Sequence, residues 1–80
     1  MIENRAAPRH KVLKRGSIRF SGGGSIDCTV RNLSSNGAGL DVVTPMGLPQ
    51  SFTLVIEADQ FIRHCHPVWS SQKRIGVAFD

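Results

Sequence analysis

Hydrophobic residues fall on alternate positions in short runs along this chain. Ile26, Cys28 and Val30 share one parity, with Asp27, Thr29 and Arg31 on the other. The same spacing sets Ala38, Leu40 and Val42 together, then Phe52, Leu54 and Ile56, then Ile75, Val77 and Phe79. Successive side chains of a strand point to opposite faces, so each run reads as a strand with one buried and one wet face. Residues 11–20 alternate more loosely: Val12, Gly16, Ile18 and Phe20 agree and Lys14 does not. Residues 61–70 have no assignable inner face, and Pro67 marks a bulge or an edge there.

Turn chemistry separates the runs. Residues 21–25 read SGGGS, residues 34–37 read SSNG, and residues 44–51 hold two prolines and a glycine. Asn-Gly is a strong short hairpin signal. Shorter turns are expected at 58–60 and 71–72. Six short strands at roughly 8–12-residue spacing predict a sandwich or barrel. Short connections make neighbours mostly antiparallel, and closure removes exposed strand edges. The expected fold is therefore all-β, a six-stranded, mostly antiparallel β-barrel over residues 11–80. Residues 1–10 (MIENRAAPRH) are polar and basic, with Pro8 biasing Ala7 toward an extended backbone. They predict a flexible arm. No segment has helical periodicity.

Eighty residues make one domain, and a chain of this size buries only roughly 60% of its unfolded surface. Such a thin core leaves little room for an internal catalytic cleft. Lys and Arg number 10 against 6 Asp and Glu, a formal charge of +4, and seven of the ten cations are Arg. Arg suits a planar grip on phosphate, so the balance hints at an anionic partner. Cys28 and Cys65 do not make a disulfide framework. No apolar run approaches the ~20 residues that span a bilayer, and the first residues lack the apolar core of a signal peptide. Free thiols and a cytoplasmic location, without membrane insertion, are the expectation.

The groups that could carry catalysis are scattered. No motif ties a serine or cysteine to His10, His64 or His66, and the acids show no paired spacing. A nucleophile needs an adjacent, oriented base, so the chain is not expected to be an enzyme. His64 and His66 would share a face of a strand, but zinc needs further ligands, and only Cys28 or His10 are available to approach. A buried cysteine flanked by histidines, with no metal, is the simpler reading. Gly22, Gly23 and Gly24 lack the following Lys-Ser/Thr and helix of a phosphate loop, so they punctuate a hairpin.

A better constellation joins two segments. Arg5 and Arg9 stand four apart in RAAPR, and Asn32, Ser34 and Gly37 occur in NLSSNG. Together, in this order, they resemble the PilZ domain family, whose signature is RxxxR in an N-terminal arm followed by [D/N]xSxxG early in a barrel. The ending WSSQKRIGVAF is similar to the family's last hairpin. Asn32 stands where Asp is common, and Asp80 directly follows the last strand, where many members continue into a helix.

The resemblance implies binding of cyclic di-GMP, with no other cofactor and no metal. Arg5 and Arg9 would grip guanine and phosphate, Asn32 and Ser34 would contact base or phosphates, and Gly37 would permit a tight turn. These roles make chemical sense, since an Arg fork matches guanine O6 and N7 and binds phosphate through charge-assisted bonds. Without an output domain, such a receptor would change arm conformation on binding and signal to a partner protein. The alternative is a PilZ-like adaptor that binds protein but no nucleotide. A nucleic-acid-binding barrel is disfavoured, because such barrels need aromatic platforms and this chain has no Tyr and one Trp.

Overall fold

A computed structural model describes residues 9–43 and 47–80. Six strands form a closed barrel in the order β1-β2-β3-β6-β5-β4. They are β1 (His10–Arg19), β2 (Ser25–Leu33), β3 (Gly37–Asp41), β4 (Phe52–Ile56), β5 (Phe61–Ser70) and β6 (Arg74–Phe79). Every neighbouring pair is antiparallel, and β1 closes the barrel against β4 through Ser17, Ile18 and Arg19. A single turn of 3-10 helix, Glu57–Asp59, joins β4 to β5 and ends at Gln60 in the left-handed region. Of the expected arm, residues 1–8, including Arg5, lie outside the described residues. β1 begins at His10.

The barrel interior takes the residues that alternation selects. Ile18, Val30, Ala38, Leu40, Leu54, Ile56 and Cys65 are fully buried, with Phe52, Ile75 and Val77 nearly so. Each large aliphatic or aromatic side chain among them stabilises the fold by about 1.5–3 kcal/mol relative to exposure. Val12, Phe20, Ile26, Leu33, Phe61 and Phe79 pack around this cluster. In the first hairpin Gly23 adopts φ 104°, which L side chains rarely do, as the amides of Gly23 and Phe20 close the turn.

Three bulges break the register. In β1 an extra residue lies between Lys11 and Lys14, and Lys14 ion-pairs with Asp59 at 2.5 Å. That pairing accounts for a lysine at an inward parity. In β2 the partners of Val30 and Asn32 are consecutive residues, Leu40 and Gly39, so Arg31 is extra. In β5 Val68 is extra between Pro67 and Trp69. Pro67 thus sits at a bulge, where a missing N–H is tolerated.

Candidate ligand-binding surface

The turn between β2 and β3 is built by Ser34. Its backbone N–H donates to the Gly37 carbonyl at 2.9 Å, and its hydroxyl accepts from the amides of Asn36 at 3.1 Å and Gly37 at 3.2 Å. The hydroxyl also donates to the Gly37 carbonyl at 3.3 Å. Ser34 therefore spends its polar capacity on holding the turn. Asn36 is tied to the end of β6, because its carbonyl accepts from Phe79 N–H at 2.8 Å. Gly37 is needed for proximity rather than for φ: a Cβ there would lie 2.2 Å from the Val77 carbonyl oxygen. A side chain would push β3 off β6.

Arg9 and Asn32 meet at the same end of the barrel. An Arg9 Nη1–H donates to Asn32 Oδ1 at 2.5 Å across 23 residues of sequence. The Asn32 amide lies over Gly39, whose Cβ, if present, would be 2.6 Å from Asn32 Nδ2. Gly39 thus leaves the space in which Asn32 is seated.

Register extends this surface. On the outer face of β3 and β6 the paired residues are Gly37 with Ala78, Gly39 with Gly76, and Asp41 with Arg74. Outward positions over two rungs carry nothing larger than a methyl, so neighbouring side chains settle onto the sheet there, and Gly37, Gly39 and Gly76 are buried. Asn32 does so from the β2 side. On the β5 side Trp69 lies over Gly76, with its Nε1 2.1 Å from where a Cβ would stand. Trp69 is 48% exposed, and no Phe among the described residues is as exposed. Beyond these glycines, Asp41 accepts from Arg74 Nε at 2.6 Å and from Nη2 at 3.4 Å, while Arg31 approaches to 3.6 Å. The Arg74 hydrogen bond holds the Asp41 carboxyl below its usual range. An exposed indole, the Asn32 amide and nearby guanidinium groups suit a planar ring attached to an anion.

Of the residues singled out from sequence, the structure joins Arg9 to Asn32 and places Ser34 and Gly37 in one turn beside them. Gly39, Arg31 and Asp41 were not singled out, and Trp69, Arg74 and Gly76 stood out only as part of the ending WSSQKRIGVAF, with no role at the site. The signal present was a glycine at an outward parity in both AGLD and RIGVAF, and it gains meaning only once β3 is known to pair with β6.

The other candidate chemistry resolves differently. His64 and His66 project outward, and their Nδ1 atoms each lie 2.7 Å from one Asp80 oxygen. These bonds hold the Asp80 carboxyl below its usual range, so it accepts and each ring donates from Nδ1. Cys65 points inward between them and is fully buried, which removes it from any shared site with the histidines. Among the described residues no cluster of three metal-ligating side chains occurs. Cys28 and Cys65 are free thiols. Burial pushes Cys28 up to about 12, helped by Asp27, and Cys65 up to about 11, helped by Asp80. Among the described residues no helix is long and apolar enough to cross a membrane.

The comparisons with known proteins bear on the fold and the family. No curated protein matches the chain in sequence. Among solved structures, the PilZ domain of YcgR from Escherichia coli, described with c-di-GMP, is similar in fold. It has a TM-score of 0.77 and 15% sequence identity, over 96% of this chain and 78% of that one. The PilZ domain family matches residues 3–80. With nearly the whole length matched and the six-stranded barrel in place, the chain belongs to the PilZ domain family.

Proposed function

We propose that the chain is a receptor for cyclic di-GMP, acting by binding and not by catalysis. The observation that carries this reading is the Arg9–Asn32 hydrogen bond beside the paired glycines of β3 and β6. It brings the second arginine of one motif onto the first residue of the other. The similarity to the YcgR PilZ domain, described with c-di-GMP, supports the choice of ligand.

In this reading Arg9, pre-positioned by Asn32, offers its remaining guanidinium donors to a guanine edge or a phosphate. Arg5 supplies the second fork. Asn32 presents an amide that both donates and accepts. Ser34 and Gly37 act through the turn they build, which fixes the path from Asn32 into β3. The half-exposed Trp69 indole, seated on Gly76, offers a flat base a face to stack on, and two phosphates balance the local positive charge. The nucleotide then changes how residues 1–10 lie against the barrel, and a partner protein reads that change in the cytoplasm.

Calorimetric titration of the chain with cyclic di-GMP, with GTP as control, tests the proposal. The expected result is saturable binding of cyclic di-GMP, weak or absent binding of GTP, and loss of binding in Arg5→Ala and Arg9→Ala with the fold retained. No heat with the intact chain would favour an adaptor that does not bind nucleotide. Undiminished binding in both variants would refute the assigned roles.

A further inference from the structure

The barrel closes unevenly. β2 pairs with β1 along Ser25, Ile26, Asp27 and Cys28, but its pairing with β3 starts only at Thr29, opposite Asp41. Past Asp41 the chain turns toward β6, where Val42 N–H donates to the Lys73 carbonyl at 2.7 Å. Among the described residues, no strand pairs with the second side of Ser25, Ile26, Asp27 and Cys28. Alternate residues of that stretch therefore turn their N–H and C=O groups to an edge that no described strand covers, a template for another extended chain.

The edge borders a groove of about 740 Å³ between β2 and the β5–β6 turn. Arg15, Lys73 and Arg74 line it with Asp27 and Asp41, and Arg31 reaches Asp41 from the flank at 3.6 Å. Four cations thus face two carboxylates, and Asp41 is already engaged by Arg74 and Arg31. Val43, 87% exposed, stands at the lip. A free strand edge inside a positive groove fits one kind of occupant.

We propose that an extended, carboxylate-bearing segment of a partner protein docks here as an added strand against Ser25, Ile26, Asp27 and Cys28, its acidic side chains meeting Arg15, Lys73 and Arg74. Backbone pairing supplies the affinity, and the cations select the partner. The site names the partner surface of the receptor reading and rests on that reading only for its regulation. β2 runs unbroken from this edge to Asn32, and the Arg31 bulge lies between them.

Fluorescence anisotropy with a labelled peptide of repeated Glu-Val units tests the surface on the full chain. Saturable binding is expected, weakened at least about tenfold by Arg15→Glu with Lys73→Glu, and equally by N-methylation of alternate peptide amides. Arg63→Glu, which removes a cation on β5 away from this edge, should leave binding unchanged. In NMR spectra the amides of Ser25, Ile26, Asp27 and Cys28 should shift. Equal binding of the N-methylated peptide, equal loss in the Arg63 variant, or capture of an oligonucleotide through Arg15 and Lys73 would each overturn the proposal. Calorimetry with cyclic di-GMP on the same proteins separates the two claims. Lost peptide binding with intact nucleotide binding in the Arg15 and Lys73 variant marks the docking site, whereas no nucleotide binding by the unaltered chain would overturn the receptor reading alone.

Discussion

Replacing Gly39 with Ala should cripple nucleotide binding while sparing the fold. The added Cβ would lie 2.6 Å from Asn32 Nδ2 and 3.1 Å from its Oδ1 and Cγ. Nothing in the sheet blocks the methyl, so the Asn32 amide must swing away. Stability should change little, because Gly in a strand interior already costs roughly 0.5–1 kcal/mol relative to Ala, which offsets the displaced side chain. Binding should suffer more. Arg9 loses the acceptor that holds it at 2.5 Å, and a hydrogen bond to a charged group contributes about 1.5–3 kcal/mol. If the ligand must restore that arrangement, affinity falls by up to roughly ten- to 150-fold. Titration calorimetry gives the affinity and thermal denaturation the stability. A folded Gly39→Ala variant with unaltered affinity would refute the idea that Asn32, seated on Gly39, organises the site.

Gly37→Ala should act on the fold instead. Its Cβ would meet the Val77 carbonyl oxygen at 2.2 Å, and backbone yields less readily than a side chain. A loss of about 1–3 kcal/mol is expected, seen as a lower denaturant midpoint at constant slope; an unchanged midpoint would contradict it. Asp41 has a lowered folded pKa through its Arg74 hydrogen bond. Its contribution is therefore present above the unfolded value of about 3.9 and is lost as pH falls through the folded one. Asp41→Asn should flatten the acid limb of a stability profile, and an identical limb would count against the cluster. Cys28 and Cys65, raised to about 12 and about 11, should resist a thiol reagent near pH 8 until the protein unfolds, since the thiolate is the nucleophile. Prompt labelling of the folded chain would contradict their burial.

The barrel was legible where alternation was clean. The inward residues of β2, β3, β4 and β6 follow the parity of the sequence because both neighbours of each core residue face water or a thin outer layer. β5 was opaque for two physical reasons. Arg63 occupies an inward parity, with its guanidinium 4.9 Å from the centre of the Phe79 ring, and the bulge at Val68 shifts the pattern beyond Pro67. The site was half legible. Arg9, Asn32, Ser34 and Gly37 stand out as a spaced set, but the function of Gly39 and Gly76 depends on which strands pair. A glycine alone in a strand reads only as a weak strand former. Opposite another glycine, it becomes part of the seat on which Asn32 and Trp69 rest. The Asp41–Arg74 pair is hidden for the same reason, its members standing 33 positions apart.

The most direct test is to add saturating cyclic di-GMP to the isotope-labelled chain and follow its backbone amides by NMR. The amides of Arg9, Asn32, Gly37, Gly39 and Gly76 should shift together with a common saturation curve, while those of the first hairpin at Gly23 stay in place. Spectra in which these five ignore the nucleotide, or in which the shifts gather at the opposite end of the barrel, would contradict a binding surface centred on the Arg9–Asn32 pair.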